Sequence, residues 1–131
     1  MKVIAVIGCG RIANKHHLVT LSEIEEVRIK YACDILIEKA EQSKKDFPKI
    51  EQVITDYKVA LADPEVDIAV ICTPSGLHAE QTVAALRAGC HVLVEKPMAL
   101  TEEGIAAVIE AEKETGLTVG VICQQRFSPA M

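Results

Sequence analysis

The sequence predicts a doubly wound α/β fold, in which a parallel sheet with strand order 3-2-1-4-5-6 carries helices on both faces. Two observations lead to this prediction. Short apolar runs alternate with segments of helical periodicity along the whole chain. The run at 68–72 is apolar throughout, as expected of a strand that is covered on both faces. The predicted strands are 3–7, 27–33, 52–54, 68–72, 91–94 and 118–123.

The helices that join these strands are delimited by residues with strong end preferences. Pro48 stops the second helix, and Thr55-Asp56 supplies the N-cap of the third. Thr101 caps the fifth helix, while Gly89 and Gly116 follow the C-terminal ends of the fourth and fifth. Strand and helix therefore alternate without repeats or linkers, which predicts a single domain over 1–123. The predicted helices are 11–21, 35–47, 57–62, 77–88 and 102–115.

The first strand runs directly into a G-x-G-x-x-A motif that opens the first helix. Gly8 permits the tight turn, Gly10 lets a pyrophosphate approach the backbone, and Ala13 keeps the helix close to the sheet. The helix N-terminus adds free N–H groups and a partial positive charge. In this context the motif predicts a dinucleotide-binding turn, with an ordinary glycine turn as the alternative. The predicted phosphate-binding residues are Gly8, Cys9, Gly10, Arg11, Ile12 and Ala13.

An acidic residue is required at the end of the second strand, roughly 20 residues after the glycine motif. Asp34 occupies that place and is predicted to accept hydrogen bonds from the adenine ribose. Its charge would repel a 2′-phosphate, and Ile35 beside it offers no group to hold one. The pair therefore favours NAD over NADP. An N-cap role for Asp34 in the next helix is compatible with this prediction.

Composition narrows the class of protein further. The 131 residues are 50% hydrophobic and 25% charged, with a net charge of −5. This mildly acidic balance argues against nucleic acid or an anionic membrane as a partner. The longest apolar runs are too short to span a membrane, and the first residues already belong to a strand rather than a signal peptide. We therefore expect a cytoplasmic protein.

Cysteine usage supports the same compartment. The five cysteines form no C-x-x-C pair, and they are expected to be free thiols in a reducing environment. Several of them follow strand ends, where a metal or redox cluster is the alternative interpretation. Their spacing lacks the zinc-ribbon pattern, and small side chains suit a crowded sheet edge, so no metal site is predicted. Cys9 lies between the two glycines, and from this position alone we hypothesise that its thiol faces the pyrophosphate. The cysteines are Cys9, Cys33, Cys72, Cys90 and Cys123.

Further polar residues follow the strands on the other side of the predicted topological switch. Thr73 and Pro74 come after the fourth strand, and Glu95-Lys96-Pro97 comes after the fifth. Ligands of open α/β sheets bind at such carboxyl ends, so these residues should line one crevice with the glycine motif. His16 and His17, on the first helix, are interpreted as a packed or half-exposed pair near the cofactor.

These motifs, in this order and spacing, resemble the glucose–fructose oxidoreductase, inositol dehydrogenase and rhizopine catabolism family (Gfo/Idh/MocA). The resemblance covers nearly the whole chain, although Ser75 stands where many members have Asn. It implies NAD(P)-dependent hydride transfer on a sugar, cyclitol or related polyol. It also implies that Lys96 lies beside the nicotinamide and that Thr73 and Pro74 line the crevice. The residues that carry it are Gly8 to Ala13, Thr73, Pro74, Ser75, His78, Glu95, Lys96, Pro97, Gln125, Arg126, Phe127 and Pro129.

Lys96 is the candidate catalytic residue. An ammonium at a hydride-transfer centre can donate to the oxygen that gains or loses charge, with a larger effect in a dry pocket than in water. The alternative is a surface lysine that is ion-paired with Glu95 and contributes little.

The resemblance also implies a second, mostly β domain that holds the substrate, supplies further catalytic residues and builds a homo-oligomer interface. We expect 124–131 to begin the connection to that domain, so the chain would be a cofactor domain from a longer protein. Two other functions stay open. One is a non-catalytic NAD(H)-binding sensor or scaffold, and the other is an NAD-dependent glycoside hydrolase.

Overall fold

Six parallel strands form one sheet in the order β3-β2-β1-β4-β5-β6, which confirms the fold class and strand order. The computed structural model describes residues 1–11 and 13–122, apart from the side chain of Lys15. Every pairing is parallel, including β1 with β2 and β1 with β4. The strands are β1 (Lys2–Ile7), β2 (Val27–Cys33), β3 (Gln52–Ile54), β4 (Ile68–Ile71), β5 (His91–Glu95) and β6 (Val119–Ile122).

The helices agree with the sequence expectations to within a few residues at their ends. A wide π-helical turn at Ala13–His17 precedes the first α-helix, and a short 3₁₀ turn at Ser75–Leu77 precedes the fourth. The second helix begins at 37 rather than 35 because Leu36 is still extended, with φ −96° and ψ 103°. The α-helices are α1 (Leu18–Glu23), α2 (Ile37–Asp46), α3 (Tyr57–Leu61), α4 (His78–Arg87) and α5 (Glu102–Thr115).

The helix-end signals in the sequence have the expected geometry. Asp56 Oδ1 accepts a hydrogen bond from Lys58 N–H at 3.0 Å, and Thr101 Oγ1 accepts one from Gly104 N–H at 3.0 Å. Gly116 forms the left-handed C-cap of α5. These side chains satisfy N–H groups that have no partner within the first helical turn.

The core lies in two layers, one on each face of the sheet. Alternate residues of β1 belong to different layers, because successive strand side chains point to opposite faces. Ala5 and Ile7 pack with α3, α4 and α5, whereas Ile4 and Val6 pack with α1 and α2. All five residues from Val3 to Ile7 are buried, so β1 is central to both layers. Within the described ranges, no helix is both long and apolar enough to cross a membrane.

Candidate functional site

Those predicted site residues that the structure describes lie at the carboxyl edge of the sheet, around the ends of β1, β2, β4 and β5. The chain leaves β1 toward α1 on one face, whereas it leaves β4 toward α4 on the other. This opposite departure from neighbouring strands creates a crevice between the two connections. Two open depressions lie away from this edge, one bordered by Lys45 and one by Val27, and neither includes a residue of the crevice.

The glycine turn fits the geometry that a phosphate-binding turn requires. Gly8 has φ +97°, and a Cβ on it would lie 2.7 Å from the carbonyl carbon of Cys72 and 2.9 Å from Thr73 N. The turn therefore lies directly against the loop after β4, and only glycine fits there. A Cβ on Gly10 would meet nothing within 4 Å, so the turn is open on that side. Gly10 N–H has no hydrogen-bond partner among the described residues. An open backbone surface of this kind is what a pyrophosphate needs.

The turn is held by two residues that sequence reasoning missed. Asn14 Nδ2–H donates to the carbonyl oxygens of Cys9 and Gly10, both at 3.0 Å. Ser43 of α2 donates its hydroxyl hydrogen to Asn14 Oδ1 at 2.6 Å, and Ser43 is fully buried. No local pattern reveals this chain of contacts, because Ser43 lies 29 residues from Asn14 in sequence.

Cys9 contributes its backbone to the turn, and its thiol points into the core. The residue is 2% exposed, and its Sγ lies 3.5 Å from the carbonyl oxygen of Cys33. Burial raises the pKa of the Cys9 thiol to about 11 and the pKa of Cys33 and Cys72 to about 12. The hypothesis that this thiol faces the pyrophosphate is therefore wrong. No group of three His, Cys, Asp or Glu side chains in the described ranges could hold a metal ion.

Asp34 connects the end of β2 to the glycine turn. Its Oδ2 accepts a hydrogen bond from Cys9 N–H at 3.0 Å, and its Oδ1 accepts one from Leu36 N–H at 2.9 Å. The second bond closes a local turn before α2, whose N-cap is Leu36, so the N-cap role considered for Asp34 is wrong. The carboxylate is half-buried, and each oxygen keeps lone-pair capacity for another donor. Ile35 beside it is 86% exposed.

The loops after β4 and β5 are tied together by α4. His78 is 2% exposed, and its ring nitrogens lie 2.6 Å from the carbonyl oxygen of Thr73 and 2.8 Å from that of Pro97. Thr73 Oγ1–H donates to Gln81 Oε1 at 2.5 Å. The His78 ring thus lies between a carbonyl group of each loop and links the loop after β4 to the loop after β5.

The Glu95 side chain forms a hydrogen bond with His17, the last residue of the π-helical turn before α1. Its Oε1 lies 2.6 Å from His17 Nε2, and the two side chains are only 9% and 12% exposed. Among the described residues, neither Lys96 nor any other lysine or arginine lies within ion-pair distance of Glu95. The alternative in which Lys96 is neutralised by Glu95 is therefore wrong. Lys96 is exposed at the end of β5, where its N–H donates to the carbonyl oxygen of Ile122 at 3.3 Å.

The remaining predicted residues are placed as follows. Ala13 is fully buried against the layer of α1 and α2, and Arg11 is exposed at the start of the helix. Pro74 and Pro97 are exposed, and the Lys96–Pro97 peptide bond is cis. Ile12 and Gln125 lie outside the described residues.

Fold and site together define a dinucleotide-binding domain of the Rossmann class. Residues 2–123 match the family described as "Oxidoreductase family, NAD-binding Rossmann fold" (GFO_IDH_MocA), and the chain belongs to this family. The resemblance that the motifs indicated is thereby confirmed.

The names of individual relatives specify different cofactors. The chain is 32% identical over 126 residues to the scyllo-inositol 2-dehydrogenase (NAD(+)) of Bacillus subtilis (strain 168), covering 96% of this chain and 36% of that protein. It is also 32% identical over 124 residues to the scyllo-inositol 2-dehydrogenase (NADP(+)) of the same organism, covering 95% of this chain and 34% of that protein. The relatives thus support an NAD(P)-binding domain without deciding between NAD and NADP.

A solved structure agrees with this assignment. The crystal structure of apo scyllo-inositol dehydrogenase from Lactobacillus casei superposes with a TM-score of 0.88 at 27% identity, covering 98% of this chain and 38% of that chain. The chain therefore spans a little over a third of the length of the relatives that it matches.

Proposed function

We propose that this chain is the cofactor domain of an NAD-dependent dehydrogenase that transfers hydride to or from a sugar, cyclitol or related polyol. The observation that carries the proposal is the convergence of the open turn at Gly10, the carboxylate of Asp34 and the exposed Lys96 on one sheet edge. The names of the relatives, two of which are inositol dehydrogenases, support the substrate class. This chain spans about a third of each of these relatives, so the substrate would be bound by a part of the whole protein that lies outside these 131 residues.

The residues present fit a dinucleotide. Gly8 brings the turn against the β4 loop, and the missing Cβ of Gly10 leaves room for a pyrophosphate. The nicotinamide, when bound, supplies the hydride acceptor or donor. Lys96 would donate a hydrogen bond to the substrate oxygen and hold or release its proton there, which is most effective where water is excluded. Among the described residues, no carboxylate lies within ion-pair distance of the Lys96 ammonium, which leaves it available for that task.

The preference for NAD follows from the position of Asp34. Its carboxylate is fixed by two backbone N–H groups, so it cannot easily turn away from a ribose at the end of β2. A 2′-phosphate there would meet a negative charge, and Ile35 offers no compensating cation. We therefore expect NADH to bind more tightly than NADPH.

The test is a fluorescence or calorimetric titration of the chain with NADH and NADPH. Asp34→Ser should narrow the difference between the two cofactors, since a hydrogen bond to a charged acceptor contributes about 1.5–3 kcal/mol. Glu25→Ser, which removes one exposed charge at the opposite end of β2, is the matched control and should leave the ratio unchanged. NADPH binding as tight as NADH binding would refute the preference. Failure to bind either nucleotide would refute the cofactor domain itself.

A further inference from the structure

The side-chain amide of Asn14 has a different kind of partner at each end. Its Nδ2 lies 3.0 Å from the carbonyl oxygens of both Cys9 and Gly10, and its Oδ1 lies 2.6 Å from the Ser43 hydroxyl oxygen. Carbonyl oxygens only accept hydrogen bonds, so the end that faces them must be the NH₂ group, and both of its hydrogens are used. The other end is then the amide oxygen, which accepts the hydroxyl hydrogen of Ser43. The partners of this amide therefore fix its orientation.

The amide in turn fixes the direction of two peptide groups in the glycine turn. In a trans peptide the C=O group and the following N–H group point in opposite directions. Because Asn14 binds the carbonyl oxygens of Cys9 and Gly10, the N–H groups of Gly10 and Arg11 point away from the amide. The N–H of Cys9, one peptide earlier, is already bound by Asp34. The N–H groups of Gly10 and Arg11 are thus the ones that Asn14 orients.

Ser43 connects this arrangement to α2. The residue is fully buried, and a buried hydroxyl is costly unless it forms a hydrogen bond. Burial raises the pKa of the Cys9 thiol, and a hydrogen bond with Ser43 opposes part of that rise, so Ser43 is close to both Cys9 and Asn14. The helix that follows Asp34 therefore also supports the glycine turn.

We propose that Asn14 and Ser43 are positioning residues for the dinucleotide: Ser43 orients the Asn14 amide, and the amide directs the N–H groups of Gly10 and Arg11 toward the pyrophosphate. Both residues act through the backbone of the turn. The inference rests on the proposed cofactor-binding function, but the direction of the two N–H groups is a property of the free chain. Without the amide the two peptide groups can rotate, and binding must then first order them, which weakens it.

The first test measures NADH affinity by fluorescence titration. Asn14→Ala should weaken binding about tenfold, and Ser43→Ala about threefold, as expected for the loss of single hydrogen bonds. Asn14→Leu, which keeps the side-chain volume but neither donates nor accepts, should match Asn14→Ala if the smaller variant fails to fold. Because Ser43 acts through Asn14, Ser43→Ala should cause no further loss in the Asn14→Ala background.

Ser22→Ala is the matched control for Ser43→Ala. The hydroxyl of Ser22, on α1, is buried and has no hydrogen-bond partner among the residues that the structure describes. Its removal should therefore leave NADH affinity unchanged. Circular dichroism checks that each variant is folded.

The second test needs no cofactor. Residual dipolar couplings report the direction of each N–H bond in the free chain. In the wild-type chain, the couplings of Gly10 and Arg11 should fit the same orientation as those of β1. In Asn14→Ala these two couplings should be averaged toward zero, while those of β1 stay unchanged.

Three results would overturn the proposal. The first is unchanged NADH affinity in both Asn14 variants. The second is a loss from Ser43→Ala that is as large in the Asn14→Ala background as in the wild-type chain, because additive losses indicate independent damage. The third is a set of dipolar couplings that Asn14→Ala leaves unchanged. A wild-type chain that binds no NADH would instead refute the cofactor domain, and the couplings would still decide whether the amide orients the turn.

Discussion

Substituting Gly8 tests whether the glycine turn and the β4 loop form one rigid unit. Ala in its place would adopt φ +97° and press a methyl group to within 2.7 Å of the Cys72 carbonyl carbon. The left-handed backbone costs a non-glycine residue about 1–2 kcal/mol. Forcing an extra carbon into a packed site adds about 1–3 kcal/mol. The clashing atoms belong to the backbone of Cys72 and Thr73 rather than to a flexible side chain. The loop after β4 must therefore move to make room for the methyl group.

Substituting Gly89 measures the backbone cost separately from the packing cost. It has φ +99°, close to the value at Gly8, but a Cβ on it would meet nothing within 4 Å. Gly89→Ala should therefore lower the free energy of unfolding by the backbone cost alone, about 1–2 kcal/mol. Gly8→Ala should lose about 2–5 kcal/mol in total. The difference between the two variants isolates the contact with the β4 loop.

Gly10→Ala completes the set, because its Cβ would project into open space. Its free energy of unfolding should change by no more than about 1 kcal/mol, the usual size of a glycine-to-alanine backbone effect. NADH binding should nevertheless be lost, since the methyl group occupies the approach of the pyrophosphate. The assays are urea unfolding followed by circular dichroism and NADH titration. Equal destabilisation by Gly8→Ala and Gly89→Ala would refute the rigid contact, and full NADH affinity in Gly10→Ala would refute the phosphate turn.

Two further predictions concern acid stability and thiol chemistry. The Lys30 ammonium, 2.6 Å from Asp63 Oδ2, lowers the pKa of that carboxyl to about 2, with help from Glu65 N–H and the Tyr31 hydroxyl. Because the folded pKa lies below the usual one, the stabilisation is present above about pH 4 and is lost as the pH falls toward 2. Asp63→Asn should therefore flatten the decline in unfolding free energy over this range in acid titrations, and an unchanged slope would contradict the assignment. The buried Cys9 and Cys33 thiols, with pKa values of about 11 and 12, should resist iodoacetamide near neutral pH in the folded chain and react fully in urea. Rapid native labelling of Cys9, with or without protection by NADH, would show that its side chain reaches the crevice after all.

The fold was predictable from sequence because its signals are local or strictly periodic. The strand at 52–54 and the caps at Asp56 and Thr101 follow from neighbouring residues alone. Strand order followed from the alternation of strands and helices, since parallel strands need crossover connections and the first glycine motif marks where the sheet divides. The first residue of a helix was predicted less accurately than the strand order. Leu36 shows why, because its apolar side chain extends the helical pattern while its backbone stays extended.

The supporting contacts of the site could not be predicted in the same way. Cys9 lies between the two glycines of the proposed phosphate turn, yet its thiol packs into the core layer of α1 and α2. Glu95 precedes Lys96 in sequence but pairs with His17, which lies 78 residues away. Adjacent residues at a strand end point to opposite sides, so neighbourhood in sequence is a poor guide to pairing there.

The two sides of the crevice are thus held by different physical means. On the phosphate side, Gly8 acts by shape, since any side chain would collide with the β4 loop. On the opposite side, two histidines act by hydrogen bonding, with the half-buried His17 holding Glu95 and the buried His78 lying between the carbonyls of Thr73 and Pro97. Substitution of Gly8 should therefore act through a steric clash with the β4 loop, whereas substitution of His17 or His78 should act by removing hydrogen bonds that join separate segments of the chain.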